Sequence, residues 1–234
     1  MTNLVSVKRS IWVNTSLEKV WNALTREEDL LKWYTWECDL DFREGGKGFY
    51  NHGWGAYSSG TFEDIVELER FVLRSGENQR TITTLKPEKG GVTVTMVYEM
   101  PDMENMDFIS ENMAFGTDQF MKNLKSMLEE NKDLRSTFWK SWIGVNHISA
   151  QNQGSKVLSV KEGTPADQAG LKKGDIILKV NGEDIQDFQQ LESIITSTKT
   201  NETMNLKIRR GNETLEKNCM TVEFPNEYHK KVNV

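Results

Sequence analysis

Hydrophobic positions follow a period of two through most of the chain up to Met100, and change to a helical period after it. Val5, Val7, Ile11 and Val13 share one parity of a first strand, Leu4 to Val13. Thr15-Ser16-Leu17-Glu18 has capping-box spacing and predicts a short helix burying Val20, Trp21 and Leu24. Thr25-Arg26-Glu27-Glu28 repeats the signal, ahead of Leu30, Leu31, Trp33 and Tyr34. Trp36, Cys38, Leu40 and Phe42 then alternate with Glu37, Asp39, Asp41 and Arg43, which predicts a strand with one face on a core. Gly45-Gly46 turns the chain into a strand over Phe49 to Trp54, and further strands are predicted over Thr61 to Leu73, Arg80 to Leu85 and Val92 to Met100. Beyond Pro101, Met113, Thr117, Phe120, Met121, Leu124, Met127 and Leu128 recur at helical spacing and predict one long helix over about 108–131.

The second half reads differently. Thr164-Pro165 fits an N-cap and first-turn proline, and Gly170 stands where a left-handed residue ends the turn. Leu171 returns to a core, and Gly174-Asp175 leads into the apolar run Ile176 to Val180. Asn181-Gly182 is a two-residue hairpin signal. Asp187 opens a helix with Phe188, Leu191, Ile194 and Ile195, and strands are expected at Met204 to Arg209 and Thr214 to Val222. The expected division is one domain over 1–135, a second over 139–224, and a tail over 225–234. The fold class is α+β in both.

The length of 234 residues accommodates two domains, and 37% apolar with 27% charged residues excludes a disordered chain. Of the net charge of −6, the acidity lies before the second domain: up to Arg135 there are 16 Lys and Arg against 23 Asp and Glu, and 13 against 12 thereafter. No basic patch stands out, so nucleic acid is not an expected partner. Cys38 and Cys219 stand far apart and form neither a disulfide framework nor a metal site. No run approaches the ~20 apolar residues of a membrane span. The start, MTNLVSVKRSIWVN, lacks the apolar core and cleavage site of a signal peptide, so a cytoplasmic location is expected.

The stretches Val20-Trp21-Asn22-Ala23-Leu24-Thr25, Leu40 to Gly46 and Phe120 to Glu129, with their order of elements, resemble the helix-grip fold of the START and birch-pollen-allergen superfamily. The similar branch is the one named for activators of the ninety-kilodalton heat-shock chaperone's ATPase. The resemblance implies an antiparallel sheet gripping a long C-terminal helix around a hydrophobic-ligand cavity. A chaperone surface is a further implied partner. Dedicated activators of that branch carry an extra N-terminal domain, and the first strand here begins within a few residues of Met1. The expectation is therefore the fold without the activity. The inward wall would hold Trp36, Phe42, Tyr50, His52, Trp54, Met96, Tyr98, Phe120 and Leu124, and two readings of it stay open, an enclosed cavity and a filled core. Neither paired carboxylates on one face nor a nucleophile beside a base is visible, so no catalytic residue, metal ligand or cofactor is assigned. A binding protein is expected, with a carrier or cyclase-like enzyme acting by cavity shape as the alternative.

Gly-Thr-Pro-Ala…Ala-Gly-Leu…Gly-Asp-Ile-Ile-Leu-Lys-Val-Asn-Gly, spanning Gly163 to Gly182, resembles the PDZ domains of high-temperature-requirement serine proteases. The resemblance implies a small β-barrel or sandwich with two helices that binds polypeptide C-termini. Trp142, Ile143, Gly144 and Val145 would be the carboxylate loop, whose backbone amides converge on the peptide terminus. The strand from Val145, through His147, would accept the peptide by β-augmentation. Ile143, Val145, Leu191 and Ile195 would form the pocket for its last side chain. The tail itself ends Val232-Asn233-Val234, an aliphatic C-terminus suited to such a groove.

Overall fold

The computed structural model describes residues 3–225, which divide into two compact units. The first carries β1 (Leu4–Val13), α1 (Leu17–Thr25), α2 (Glu27–Trp33), β2 (Glu37–Leu40), β3 (Lys47–Gly53), β4 (Ala56–Val66), β5 (Arg70–Gly76), β6 (Gln79–Glu88), β7 (Gly91–Pro101) and most of α3 (Met106–Glu130). Its seven strands form one antiparallel sheet in the order β1-β7-β6-β5-β4-β3-β2. The register sets Phe71 opposite Thr83 and Thr83 opposite Met96, which puts one row of buried side chains on the concave face. α3 lies against that face through Ala114, Phe115, Phe120, Met121 and Leu124, all buried.

Several local readings shift. The cap of α1 is Ser16, whose hydroxyl accepts from Lys19 N, rather than Thr15. α2 has no side-chain cap, because Thr25 still belongs to α1 and its hydroxyl donates to Trp21 O. The stretch Thr61 to Leu73 is two strands, not one: Leu68, at φ 63°, turns the chain between β4 and β5. A mostly apolar pattern conceals that turn, since a leucine occupies the left-handed position where glycine is usual. β2 is shorter than predicted and leaves Trp36 outside it, 53% exposed.

Trp36 instead lies under the Arg135 guanidinium, 4.3 Å from the ring centre. Arg135 is 5% exposed; it donates to Thr35 O at 2.8 Å and Leu31 O at 2.9 Å and pairs with Asp133. Asn123, fully buried on α3, donates to Trp33 O and to Asp133 Oδ1 and accepts from Leu134 N. This polar knot ties the segment after α3 to α2, with the buried charge both paired and hydrogen-bonded.

The second unit carries β8 (Ser141–Trp142), β9 (Val145–Ser149), β10 (Ser155–Val160), α4 (Pro165–Gln168), β11 (Ile176–Val180), β12 (Glu183–Asp184), α5 (Phe188–Ser197), β13 (Thr203–Arg210), β14 (Glu213–Met220) and β15 (Val222–Glu223). The main sheet runs β14-β13-β11-β10-β9, with β12 on β11, and β15 pairs separately with β8. The sheet is open, not a closed barrel, and β9 is its edge. Asn181 and Gly182, both at positive φ, make the two-residue turn between Val180 and Glu183. Val157, Leu171, Ile177, Ile185, Leu191, Met204, Leu206 and Ile208 form one buried core. Asp175, almost fully buried, takes Arg210 by two oxygens at 2.7 and 2.8 Å and also accepts from Lys172 N. The expected tail lies outside the described residues from Asn226 on, and so does the proposed ligand Val232-Asn233-Val234.

Candidate functional site

Between the concave sheet and α3 the first unit holds a partly open cavity of about 460 Å³. α2 contributes Trp33, and Tyr34 follows it; β3 contributes Tyr50 and His52, β7 Met96 and Tyr98, and α3 Met113, Thr117, Phe120 and Met121. Tyr50, His52, Met96, Tyr98 and Phe120, five of the positions expected on this wall, are brought together there. Four are not. Trp36 is held outside by Arg135. Phe42 packs edge-on against Trp21, Phe62 and Phe71, of which only Phe71 lines the cavity. Trp54 sits in the turn after β3 at φ 49°, where the strand parity that aims Tyr50 and His52 inward has ended. Leu124 is fully buried on α3 but off the cavity wall. Tyr34 and the methionines of α3 were missed as wall residues, because neither strand parity nor a capping signal marks where a helix side chain meets an empty volume.

The wall's polar groups differ in how well they are satisfied. His52 Nε2 lies 2.8 Å from Ser58 Oγ and Nδ1 3.4 Å from Tyr34 O. Burial holds its imidazolium form down to a pKa of about 4, so the ring is neutral near pH 7. Tyr98 Oη neighbours Thr117 Oγ1 at 3.2 Å and Met96 Sδ at 3.7 Å. Tyr34 and Tyr50 are both pushed up by burial, and no hydrogen bond contributes to either shift. Arg80 and Glu99, partly exposed, pair with one another at 2.6 Å on the cavity's rim.

In the second unit the segment Trp142-Ile143-Gly144-Val145 joins β8 to the edge strand β9. Gly144 has φ 88°, and a Cβ there would lie 2.4 Å from Thr164 Cβ, so only glycine fits. The carbonyls of this loop are tied: Ile143 O accepts from Ala166 N and Gly144 O from Lys161 N, each at 2.9 Å. Among the described residues, the amides of Ile143 and Gly144 donate to no backbone carbonyl outside the regular ladders and lie in no strand themselves. The loop therefore presents two free donors at the start of an unpaired strand edge. The Lys161 ammonium stands 5.5 Å from the centre of the Trp142 ring.

The groove's side chains are only partly those expected. Ile143, Leu191 and Ile195 are 1%, 0% and 3% exposed and belong to the core, with Val145 packed against it. Leu191 points into that core rather than towards β9. The α5 face that meets β9 is one turn register away: His147 packs 4.6 Å from the Phe188 ring, and its Nε2 lies 3.1 Å from Glu192 Oε2. His147 itself is 1% exposed, with Nδ1 2.7 Å from Ser155 Oγ. Of Phe188 and Glu192, spaced i and i+4 on α5, Phe188 was expected on this helix and Glu192 was missed. An amphipathic helix shows which residues are apolar, and a carboxylate that turns inward to meet a buried histidine runs against that signal.

Residues 14–129 match the family described as activator of Hsp90 ATPase homolog 1-like protein, and residues 141–220 match the PDZ domain. The chain thus joins a domain of the first kind to a PDZ domain. It is similar to a probable periplasmic serine protease of the do/HhoA-like kind from Haemophilus influenzae, 27% identical over 164 residues, covering 65% of this chain and 33% of that protein. It is also similar to the periplasmic serine endoprotease DegP of Escherichia coli, 38% identical over 65 residues, covering 28% and 13%. The chain spans about a third or less of the length of these relatives. A crystal structure from Staphylococcus saprophyticus superposes with a TM-score of 0.50 at 15% identity, covering 56% of this chain and 96% of that one, and shows the shared helix-grip fold.

Proposed function

We propose that this chain is a non-enzymatic binding protein whose PDZ domain captures polypeptide C-termini. The observation that carries this reading is the pair of free amides at Ile143 and Gly144, set at the head of the unpaired edge of β9. A carboxylate placed there accepts two backbone hydrogen bonds, and the preceding residues of the peptide add a strand along β9. Val145, with Ile143 and Ile195 behind it, favours an aliphatic last residue. The test is calorimetry with a heptapeptide ending in valine, as the free acid and as the C-terminal amide. Amidation removes the charge that the two amides face, and the expected loss of affinity is at least about tenfold. Equal affinity of the two forms would overturn the carboxylate mode. The peptide chemistry is a cleaner probe than Gly144→Val, which forces a Cβ into Thr164 as well as altering the loop.

The cavity supports a second binding role for the first domain, as a chamber for a hydrophobic molecule. Its volume and its aromatic and methionine-rich wall suit such a ligand. His52 is neutral and already engaged with Ser58 and Tyr34 O, which fits an anchor of the wall rather than an acid or base.

A further inference from the structure

Among the described residues, two hydroxyls of the cavity wall, those of Tyr34 and Tyr50, have no hydrogen-bond partner. Tyr50 is 5% exposed, Tyr34 is half-buried, and both line the cavity. Their rings lie 5.8 Å apart in an edge-on contact. No hydrogen bond within the described residues reaches either hydroxyl, whereas His52 and Tyr98 in the same wall have their partners. Neither oxygen is among the fully buried polar atoms left without a partner, so each keeps accessible surface, and two such donors in one largely apolar wall point to a ligand that offers them an acceptor. Both phenols resist ionisation and remain O–H donors over the whole physiological range.

We propose that the cavity of the first domain takes a flat, uncharged hydrophobic molecule bearing a carbonyl oxygen, which accepts hydrogen bonds from Tyr34 and Tyr50. The inference rests on reading this domain as a ligand chamber and adds the chemistry of the ligand. A carbonyl oxygen has two lone pairs and can take both donors at once. The ring faces set the shape: Tyr50 and His52 lie nearly parallel, 5.9 Å apart at 7°, with Phe120 5.4 Å from Tyr34 and 5.8 Å from His52. The charge follows from the wall as well. Among the described residues the one cation of the wall, Arg80, is already neutralised by Glu99, and His52 is neutral, so a carboxylate entering the chamber would be desolvated without a counterion.

Three probes of one shape separate the possibilities: fluorenone, fluorene and fluorene-9-carboxylate, titrated into the full chain. Native mass spectrometry and quenching of tryptophan fluorescence read binding, Trp33 being part of the wall. The expected order is fluorenone tightest, with fluorene weaker by about tenfold and the carboxylate weaker still, since fluorene leaves both hydroxyls unpaired. In Tyr50→Phe the preference for fluorenone over fluorene should shrink to about twofold, and Tyr34→Phe should do the same. This ratio is insensitive to a general loosening of the domain, which would weaken both probes together. Equal binding of fluorenone and fluorene by the unaltered chain would overturn the carbonyl contact while leaving the chamber standing. Tightest binding of the carboxylate would overturn the uncharged class. Binding of none of the three would remove the chamber reading itself.

Discussion

In the first domain the candidate site is a volume walled by side chains from five strands, three helices and Tyr34 between them. In the second it is a strand edge with two free backbone amides, and the neighbouring side chains are packed solid. The difference teaches where specificity resides. A site made of main-chain donors accepts any peptide with a terminal carboxylate and leaves selection to a few flanking side chains. A site made of a void selects by shape and by the polar groups left unsatisfied in its wall. The supporting structure differs to match. The first domain holds its wall with a buried polar knot at Arg135, Asp133 and Asn123, and the second fixes its loop by the tied carbonyls of Ile143 and Gly144 and the buried Asp175–Arg210 pair.

The largest test of this contrast is Arg135→Ala. It leaves Asp133 without its counterion, though still accepting from Asn123, takes the guanidinium from the carbonyls of Thr35 and Leu31, and uncovers Trp36. The expected cost to the first domain is about 3 kcal/mol, from the loss of a partly buried pair and of two hydrogen bonds from a buried guanidinium to carbonyls. Hydrogen exchange in the full chain should show faster opening of α3 amides, with the affinity for the C-terminal peptide kept within about twofold. A parallel loss of peptide binding would break the division of labour.

Leu191→Ala sharpens the other half. As a wall of the peptide pocket, Leu191 would register mainly in affinity; as a fully buried core residue, it registers in stability. The expected outcome is a loss of about 2–5 kcal/mol in the unfolding of the second domain. Peptide affinity, measured well below the melting range, should change by less than about threefold. A large affinity loss with an unchanged melt would return Leu191 to the groove.

How much of each site the sequence disclosed follows from the same contrast. The loop at Gly144 and the edge strand were legible because backbone geometry has a residue signature: glycine for positive φ, then an alternating run. So were β1, β7, α3 and the Asn181-Gly182 hairpin. Strand parity also aimed Tyr50 and His52 inward correctly, up to the residue where the strand stops and Trp54 departs from it. What the sequence did not disclose depends on tertiary position. Whether aromatic side chains meet or leave a void is set by the curvature of the sheet and the distance of α3, which no local pattern encodes. The Leu68 turn, the inward Glu192 and the exposed Trp36 each oppose the local preference of their residue type, and each is settled by a distant contact or by the chain's need to reverse.

The pH dependence of the first domain probes the neutrality of its wall. In the unfolded chain His52 titrates near its ordinary 6.5, and in the fold near 4. Between those values the unfolded state binds a proton that the folded state refuses, so stability falls as pH drops from about 6.5 and the effect levels off below about 4. At pH 5 the expected loss relative to pH 7.5 is about 2 kcal/mol. His52→Gln, which keeps a hydrogen-bonding group beside Ser58, should flatten this part of the profile. Asp133 and Asp175 are lowered below the ordinary carboxylate value by their hydrogen bonds to arginine and to backbone, against the opposing effect of burial, and their stabilisation is lost only at lower pH. A profile equally steep in His52→Gln would mean that the ring is not held neutral.

The smallest effect concerns the contact that spans β9 and α5. Ser155 Oγ lies 3.0 Å from Ile148 O as well as 2.7 Å from His147 Nδ1, so the ring is fixed on one side and offers Nε2 to Glu192 on the other. Glu192 keeps a fifth of its side chain accessible, so the contact is open to solvent at one end and is not a deeply buried ion pair. A double-mutant cycle of His147→Ala and Glu192→Ala, followed by denaturant unfolding of the second domain, should give a coupling of about 1 kcal/mol. The same cycle in peptide affinity gives the sharper reading. A peptide strand added to β9 must run along the side of the edge where Glu192 meets His147, so the two substitutions should be non-additive in binding as well. Coupling in stability with strict additivity in affinity would show that the His147–Glu192 contact belongs to the scaffold and that the peptide passes without touching it.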